Sequence, residues 1–238
     1  VPLALARTSE LGPRNAMLRR VVEMMLRFDL RRSFRRVAWV GGWPPDLPDG
    51  PLIAYANHHH FYDGHLAWLL CTDRLDRPST LWMAEWDDFP FFAPLGVQPF
   101  PPDDAGRRAA TIRRTARWFR ERPATVLVYF PQGELQAPER GVTFSGDDTR
   151  RLARLYPDAA WWPLAVHVTW HGDARPTALL AGGRPHAADG TEPDRLRTVW
   201  SRLRSAVPST THTLLNGRRS ASDLWNFSFL VPFFERYL

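Results

Sequence analysis

The chain has 238 residues, 44% of them hydrophobic, which suits one large α/β domain with a real core or such a domain with a small appendage. Its basic residues are all arginine, 31 against 25 acidic residues, for a net charge of +6. One cysteine excludes an internal disulfide and fits a reducing, cytoplasmic compartment. No apolar run reaches the roughly 18 residues of a spanning helix, and Val1-Pro-Leu-Ala-Leu-Ala6 is too short and uncharged for a secretory leader.

Taken in order, Pro13 to Val40 carries Met17, Leu18, Val21, Val22, Met25, Leu26 and Phe28 at helical spacing. Arg19, Arg20, Arg27, Arg31, Arg32, Arg35 and Arg36 fill much of the remainder. A basic amphipathic helix of this kind suits an anionic membrane surface, or packing on its own domain with a solvated arginine face. The breaker-rich stretch from Gly41 to Gly50 then separates an N-terminal helical segment, residues 1–42, from the α/β domain, residues 43–238.

Pro51 to Leu70 reads as a short apolar strand, a polar knot Asn57-His58-His59-His60-Phe61-Tyr62-Asp63-Gly64, and the start of an apolar helix. Five steps of about 100° place His58 and Asp63 roughly 140° apart on an ideal helix. They meet only if His58 stands on the turn before the helix and Asp63 lies in its first turn. The carboxylate then holds one imidazole nitrogen and leaves the other as a base. Asn57 and Asp63 also suit helix capping. Three successive histidines point in different directions and no second ligand cluster follows, so no metal is expected.

Thr80 to Ala84 is a second strand, Glu85 to Pro94 an aromatic loop, and Leu95 to Phe100 a short strand. Asp103 and Asp104 suit the N-cap of a helix from Ala105 to Glu121, with Arg107 and Arg108 at its positive end, where an anion is also welcome. Ala124 to Phe130 is the clearest strand and breaks at Pro131-Gln132-Gly133-Glu134. Leu152 to Leu155 suggests a helical turn, Trp161 to Val168 and Pro176 to Ala181 two more strands, and Pro193 to Ala206 a helix. Leu224 to Phe234 is an aromatic end that closes the core or touches lipid. Strands alternating with helices predict an α/β fold with a mostly parallel central sheet and helices on both faces, behind a basic amphipathic N-terminal segment. The aromatics lie inside apolar runs rather than among the arginines, and no nucleic-acid motif occurs, so no nucleic-acid partner is expected.

Four stretches resemble blocks of the glycerolipid (lysophospholipid) acyltransferase family, of the 1-acylglycerol-3-phosphate acyltransferase kind. Asn57-His58 through Asp63 is similar to its Asn-His-x-x-x-x-Asp block. Gly96-Val97-Gln98-Pro99-Phe100 matches a second block around a glycine, Phe130-Pro131-Gln132-Gly133 a third that reads Phe-Pro-Glu-Gly, and Trp162-Pro163-Leu164-Ala165-Val166 a proline-bearing strand. All four come in the family's order, over about Leu52 to Ala181.

The resemblance implies an O-acyltransferase of lipid metabolism and phospholipid biosynthesis. It moves a fatty acyl group from acyl-CoA or acyl-carrier protein, a co-substrate rather than a cofactor, to a lipid hydroxyl. His58 is implied as general base and Asp63 as its holder. Asn57, Gly96, Phe130, Pro131, Gln132, Gly133 and Glu134 are implied to line the substrate site, with Arg107 and Arg108 nearby. Backbone amides or polar groups near the knot and near Gly133 would hold the oxyanion, and Trp86, Phe89, Phe91 and Phe92 would line an acyl groove. The partners implied are the acyl donor, a lipid acceptor and the membrane surface, with the protein peripheral on the inner face of the membrane.

The sequence departs from the family where an arginine usually follows the glycine of the second block, here Pro102. It departs again in the third block, where Gln132 replaces an acidic residue and Glu134-Leu135 replaces a Thr-Arg pair. A phosphate pocket without its bidentate arginines loses its strongest contacts. The expectation is therefore an acceptor that is not a phosphate, unless Arg107, Arg108 or Arg140 substitutes. A thioesterase or lipid hydrolase would use the same His-Asp pair on water, and a non-catalytic membrane-binding protein would keep the fold without turnover.

Overall fold

The structure, a computed structural model, describes residues 13–144, 148–170, 173–205, 211–218 and 230–235. Eight strands form one sheet: β1 (Arg36–Val40), β2 (Leu52–Ala56), β3 (Ser79–Met83), β4 (Val97–Pro99), β5 (Val126–Tyr129), β6 (Ala160–Thr169), β7 (Thr177–Gly182) and β8 (Thr211–Asn216). Their order across the sheet is β4-β3-β5-β2-β6-β7-β1-β8. The pairings from β4 to β6 are parallel, as is β1 with β7, whereas β6–β7 and β1–β8 are antiparallel. β1 and β7 therefore run against the other six, and the sheet is mostly parallel, as expected.

Strand alternation splits β2 between two cores. Leu52, Ala54 and Ala56 face one side, with α1 (Pro13–Ser33), α2 (Asp63–Trp68) and the π-helical turn Leu69–Arg74 packed over them. Ile53 and Tyr55 face the other, under α3 (Ala105–Glu121), α4 (Asp148–Leu155) and α5 (Glu192–Ser205). Both faces are thus covered, which is why β2 and β5 are apolar throughout instead of alternating. Cys71 is wholly buried in the π-helical turn beneath α1. Asp104 caps α3 by accepting the Arg107 N–H at 2.9 Å.

The N-terminal helix is shorter than expected. It ends at Ser33, and Arg36–Val40 is a strand between β7 and β8. The Arg35 N–H donates to the Pro176 carbonyl at 2.8 Å, which starts the ladder, and Val37, Ala38 and Trp39 are buried there. Of the helical segment expected over residues 1–42, Arg36–Val40 is thus part of the sheet rather than of an appendage. β-branched Val37 and Val40 suit a strand, and the local helical spacing of the arginines masked it. β8 was not foreseen. The aromatic C-terminal stretch lies mostly outside the described residues. Of it, α6 (Val231–Phe234) is a single turn with exposed Val231 and Phe233.

α1 has three faces. At about 100° per residue, Val22, Leu26 and Leu30 line up toward the core. Met17, Leu18, Val21, Met24, Met25 and Phe28 form a second apolar stripe that is exposed. Arg20 and Arg31 are exposed beside that stripe on its other flank. The helix packs on the aromatic turn Pro90–Leu95.

Candidate active site

The knot stands at the carboxyl end of β2, between β5 and β6. Asn57 sets its position. This wholly buried amide accepts the Val166 N–H at 2.8 Å and donates to the Val166 carbonyl at 2.9 Å, so it continues the β2–β6 ladder one rung with a side chain. It also bonds His59 Nδ1 at 3.1 Å, and His59 Nε2 reaches the Gly141 carbonyl at 3.0 Å. The amide acts as donor, so His59 is the neutral tautomer with its proton on Nε2. Burial holds its pKa below the ordinary histidine value.

The chain then turns, with the Asp63 N–H donating to the His60 carbonyl at 3.0 Å, and Asp63 opens α2. His58 precedes the helix, and the two side chains meet: His58 Nδ1 lies 3.1 Å from Asp63 Oδ2. The same oxygen takes the backbone N–H of His59 at 2.7 Å and of His60 at 2.8 Å. Asp63 is 1% exposed and His58 24%. A carboxylate only accepts, so Nδ1 carries the proton and Nε2 is the nitrogen that can take one. The ring of Phe130, just past β5, stacks on His58 with centroids 4.4 Å apart.

Asp63 has a second side. It lines a cavity of about 220 Å³ together with His59, His60, Val166, His167 and Trp170, and Trp170 is exposed. Asp63 Oδ1 is buried without a hydrogen-bond partner among the described residues.

The remaining sequence-selected residues fall into two groups. Gln132 is buried beside the knot, accepts the His58 N–H through Oε1 and donates to Gln136. Gly133 turns the loop with φ of 75°, and its N–H donates to the Phe130 carbonyl at 3.1 Å. Pro131 is buried with them, and Glu134 is exposed with Gln136 Nε2 at 3.4 Å. The N–H groups of His58, His59, His60 and Gly133 all have acceptors inside the turn.

Gly96, Arg107 and Arg108 stand apart from this turn. Gly96 has φ of 91° and ends the aromatic turn against the Ser79 carbonyl, where a Cβ would lie 2.4 Å from that oxygen. Arg107 forms two 2.8 Å bonds to the Asp87 carboxylate, and Arg108 donates to the Pro101 and Pro102 carbonyls. Arg140 is exposed on the turn that ends at Gly141.

Ring contacts connect the knot to the aromatic loop. Phe91 packs on Phe92 at 4.3 Å, Phe92 on His65 at 5.6 Å, and His65 on Tyr62 at 5.3 Å. Burial pushes His65 down to about 4, against smaller opposing fields from Asp29 and Asp63. Gln136 and Gly141 also hold the knot, and Thr143 holds Gln136, yet no local pattern marks them, because the knot lies more than seventy residues away. Among the described residues one further group has metal-ligand spacing, His186, Asp189 and Glu192. Its atoms are engaged otherwise: His186 with Tyr55 and Ala187, and Glu192 with the N–H groups of Asp189 and Gly190 ahead of α5.

No protein-family model and no curated protein matches the chain. Among solved structures it is similar to the crystal structure of the 1-acyl-sn-glycerophosphate (LPA) acyltransferase PlsC from Thermotoga maritima, with a TM-score of 0.50 over 79% of this chain and 78% of that one. At 16% identity, the likeness is one of fold.

Proposed function

We propose that the protein is an O-acyltransferase that moves a fatty acyl group from an acyl thioester, acyl-CoA or acyl-carrier protein, to a hydroxyl of a lipid. The observation that carries this reading is the His58–Asp63 pair at a strand end, with Nδ1 held by a buried carboxylate. His58 Nε2 takes the proton of the acceptor hydroxyl as its oxygen attacks the thioester carbonyl. The C–S bond then breaks, and the leaving sulfur takes the proton back from His58. No serine or cysteine stands in the knot, so acyl passes directly to the acceptor. The fold shared with an acyltransferase of known structure supports the same reading.

The acceptor head is neutral. Arg107 and Arg108 are tied to Asp87 and to the Pro101–Pro102 carbonyls, so neither offers a free fork to a phosphate, and of the three arginines only Arg140, exposed on the turn that ends at Gly141, is left to meet one. The cavity beside Asp63 is lined by the imidazoles of His59, His60 and His167 and by exposed Trp170, which suits a hydroxyl-bearing head. The acyl chain follows the rings of Phe89, Phe91 and Phe92 under α1, with Trp86 on the same loop.

The exposed stripe on α1 seats the protein on the inner face of an anionic membrane, with the arginines at the head groups. No helix among the described residues is long and apolar enough to cross a membrane.

The test is acyl-CoA and acyl-carrier-protein consumption by the purified chain with lysophosphatidic acid, a neutral lysolipid, a monoacylglycerol and a glycolipid alcohol as acceptors. Acylated product on a neutral acceptor is expected. Turnover with lysophosphatidic acid alone refutes the neutral acceptor. Free fatty acid regardless of acceptor makes the protein a thioesterase.

A further inference from the structure

The backbone of His58 is held at both ends by one loop. Its N–H donates to Gln132 Oε1, and its carbonyl accepts the Gln136 N–H at 3.0 Å. The two glutamines are joined, since Gln132 Nε2 donates to Gln136 Oε1 at 3.1 Å, and that oxygen also takes the Thr143 hydroxyl at 2.7 Å. Gln132 is 3% exposed, so its amide is committed to this ring of bonds rather than turned to a substrate.

We infer that Gln132 is a positioning residue for His58, and that its neutral amide is the one head group that closes this ring without charging the base. The inference rests on His58 acting as the base. A primary amide accepts from His58 and donates to Gln136 in the same plane. A carboxylate of the same length still accepts from His58. It has no proton for Gln136, so the Gln136 amide must turn over to donate and give up the Thr143 bond as it stands, and it adds a buried negative charge against the backbone of His58. That charge favours the protonated ring and withholds the base at neutral pH. The acidic residue expected at this position from the family pattern would therefore need a cation nearby, and the arginine of the pattern's Thr-Arg pair is missing from the same loop, where Leu135 stands. Gln132 and the missing Thr-Arg pair are then one change rather than two.

Among the described residues, the charged and titratable groups around His58 are Asp63, His59 and His60 of its own turn, Glu134 of the glutamine loop, His167 in the cavity beside Asp63, and Arg204 of α5, which acts on His59.

The experiment compares Gln132→Glu, Gln132→Met and Gln136→Leu by two readouts. One is the pH profile of kcat and KM for acyl transfer. The other is the titration of the His58 ring followed by NMR, which needs no turnover. With Gln132→Glu the His58 titration and the acidic limb of kcat/KM move up together by about one pH unit, and above that limb kcat levels off about tenfold below wild type, as in the variants that only open the ring. With Gln132→Met or Gln136→Leu the limb stays within a few tenths of a unit, and kcat falls about tenfold at every pH with KM little changed. An unshifted His58 titration in folded Gln132→Glu overturns the inference. So does wild-type kcat in both Gln132→Met and Gln136→Leu, or a rise in KM alone, which makes Gln132 a binding residue. If the protein transfers no acyl group, the NMR titration still decides whether Gln132 governs His58.

Discussion

Ser33, the last residue of α1, donates a 2.7 Å hydrogen bond to the hydroxyl of Tyr62, which stands immediately before Asp63. The exposed apolar helix and the turn that holds the carboxylate are therefore joined by one bond. Phe34 reinforces it, with its ring edge-on to Tyr62 at 5.4 Å. Tyr62→Phe keeps the ring contact and removes the bond. The expected loss is about 1 kcal/mol of unfolding free energy, read by urea denaturation, and a small fall in kcat as the turn loosens.

Asp63→Asn and Asp63→Ala separate chemistry from support. Asparagine can place its oxygen where Oδ2 now takes three N–H donors, but it no longer balances a charged imidazole. Acyl transfer is expected to fall by about 10²–10⁴-fold with the melting temperature nearly kept. Alanine leaves the buried N–H groups of His59 and His60 unpaired, at about 1–3 kcal/mol each, so a clear drop in melting temperature accompanies the loss of turnover.

Stability should fall as pH drops from 6.5 toward 4. His65 is held neutral by burial, with its value lowered from 6.5 to about 4, so the unfolded chain binds a proton that the folded chain refuses. The loss begins near the unfolded value, is complete near the folded one, and approaches about 3 kcal/mol if the whole shift is realised. His59, lowered by the same cause, adds in the same direction. Urea titrations between pH 7 and pH 4 measure the slope, and His65→Phe should flatten part of it.

Membrane seating has its own variant. Replacing Met17, Met24 and Phe28 together with glutamine changes only exposed positions of α1. Partition onto anionic vesicles should fall about tenfold or more, while the melting temperature stays within error. The wild-type partition should itself weaken as salt screens the arginines. Flotation of the triple variant equal to wild type removes α1 as the seat.

Gly96→Ala should be costly although Gly96 lies away from the dyad. Its φ of 91° and the Ser79 carbonyl at 2.4 Å from a built Cβ leave no room. Loss of at least about 2 kcal/mol is expected, measured by thermal melting.

Much of this arrangement was legible in the chain because its signals are local. β2, the knot and α2 follow one another without interruption, so the five-residue spacing of His58 and Asp63 already required a turn before a helix. α3 showed its cap at Asp104 and its apolar face, and β5 its unbroken apolar run. β1 was not legible, since Arg35 and Arg36 extend the helical spacing of arginines past Ser33, and only the sheet neighbours β7 and β8 turn Val37–Trp39 into a strand. Asn57 was legible as a polar residue at a strand end, but its pairing with Val166 spans 109 residues and left no mark in either segment. Gln132 drew notice as a departure from a pattern, whereas its ring with Gln136 and Thr143 depends on a loop path that no periodicity encodes.

The π-helical turn under α1 has a practical consequence through Cys71. The side chain is wholly enclosed, and burial pushes its thiol up to about 12. Because only the thiolate attacks, the folded chain is silent to a disulfide dye at neutral pH. Any sulfhydryl that a coupled colorimetric assay registers during turnover therefore belongs to the released acyl carrier. Once the protein unfolds, the same dye titrates one group per chain, so a single reagent counts product in the active enzyme and opened molecules in a denatured one.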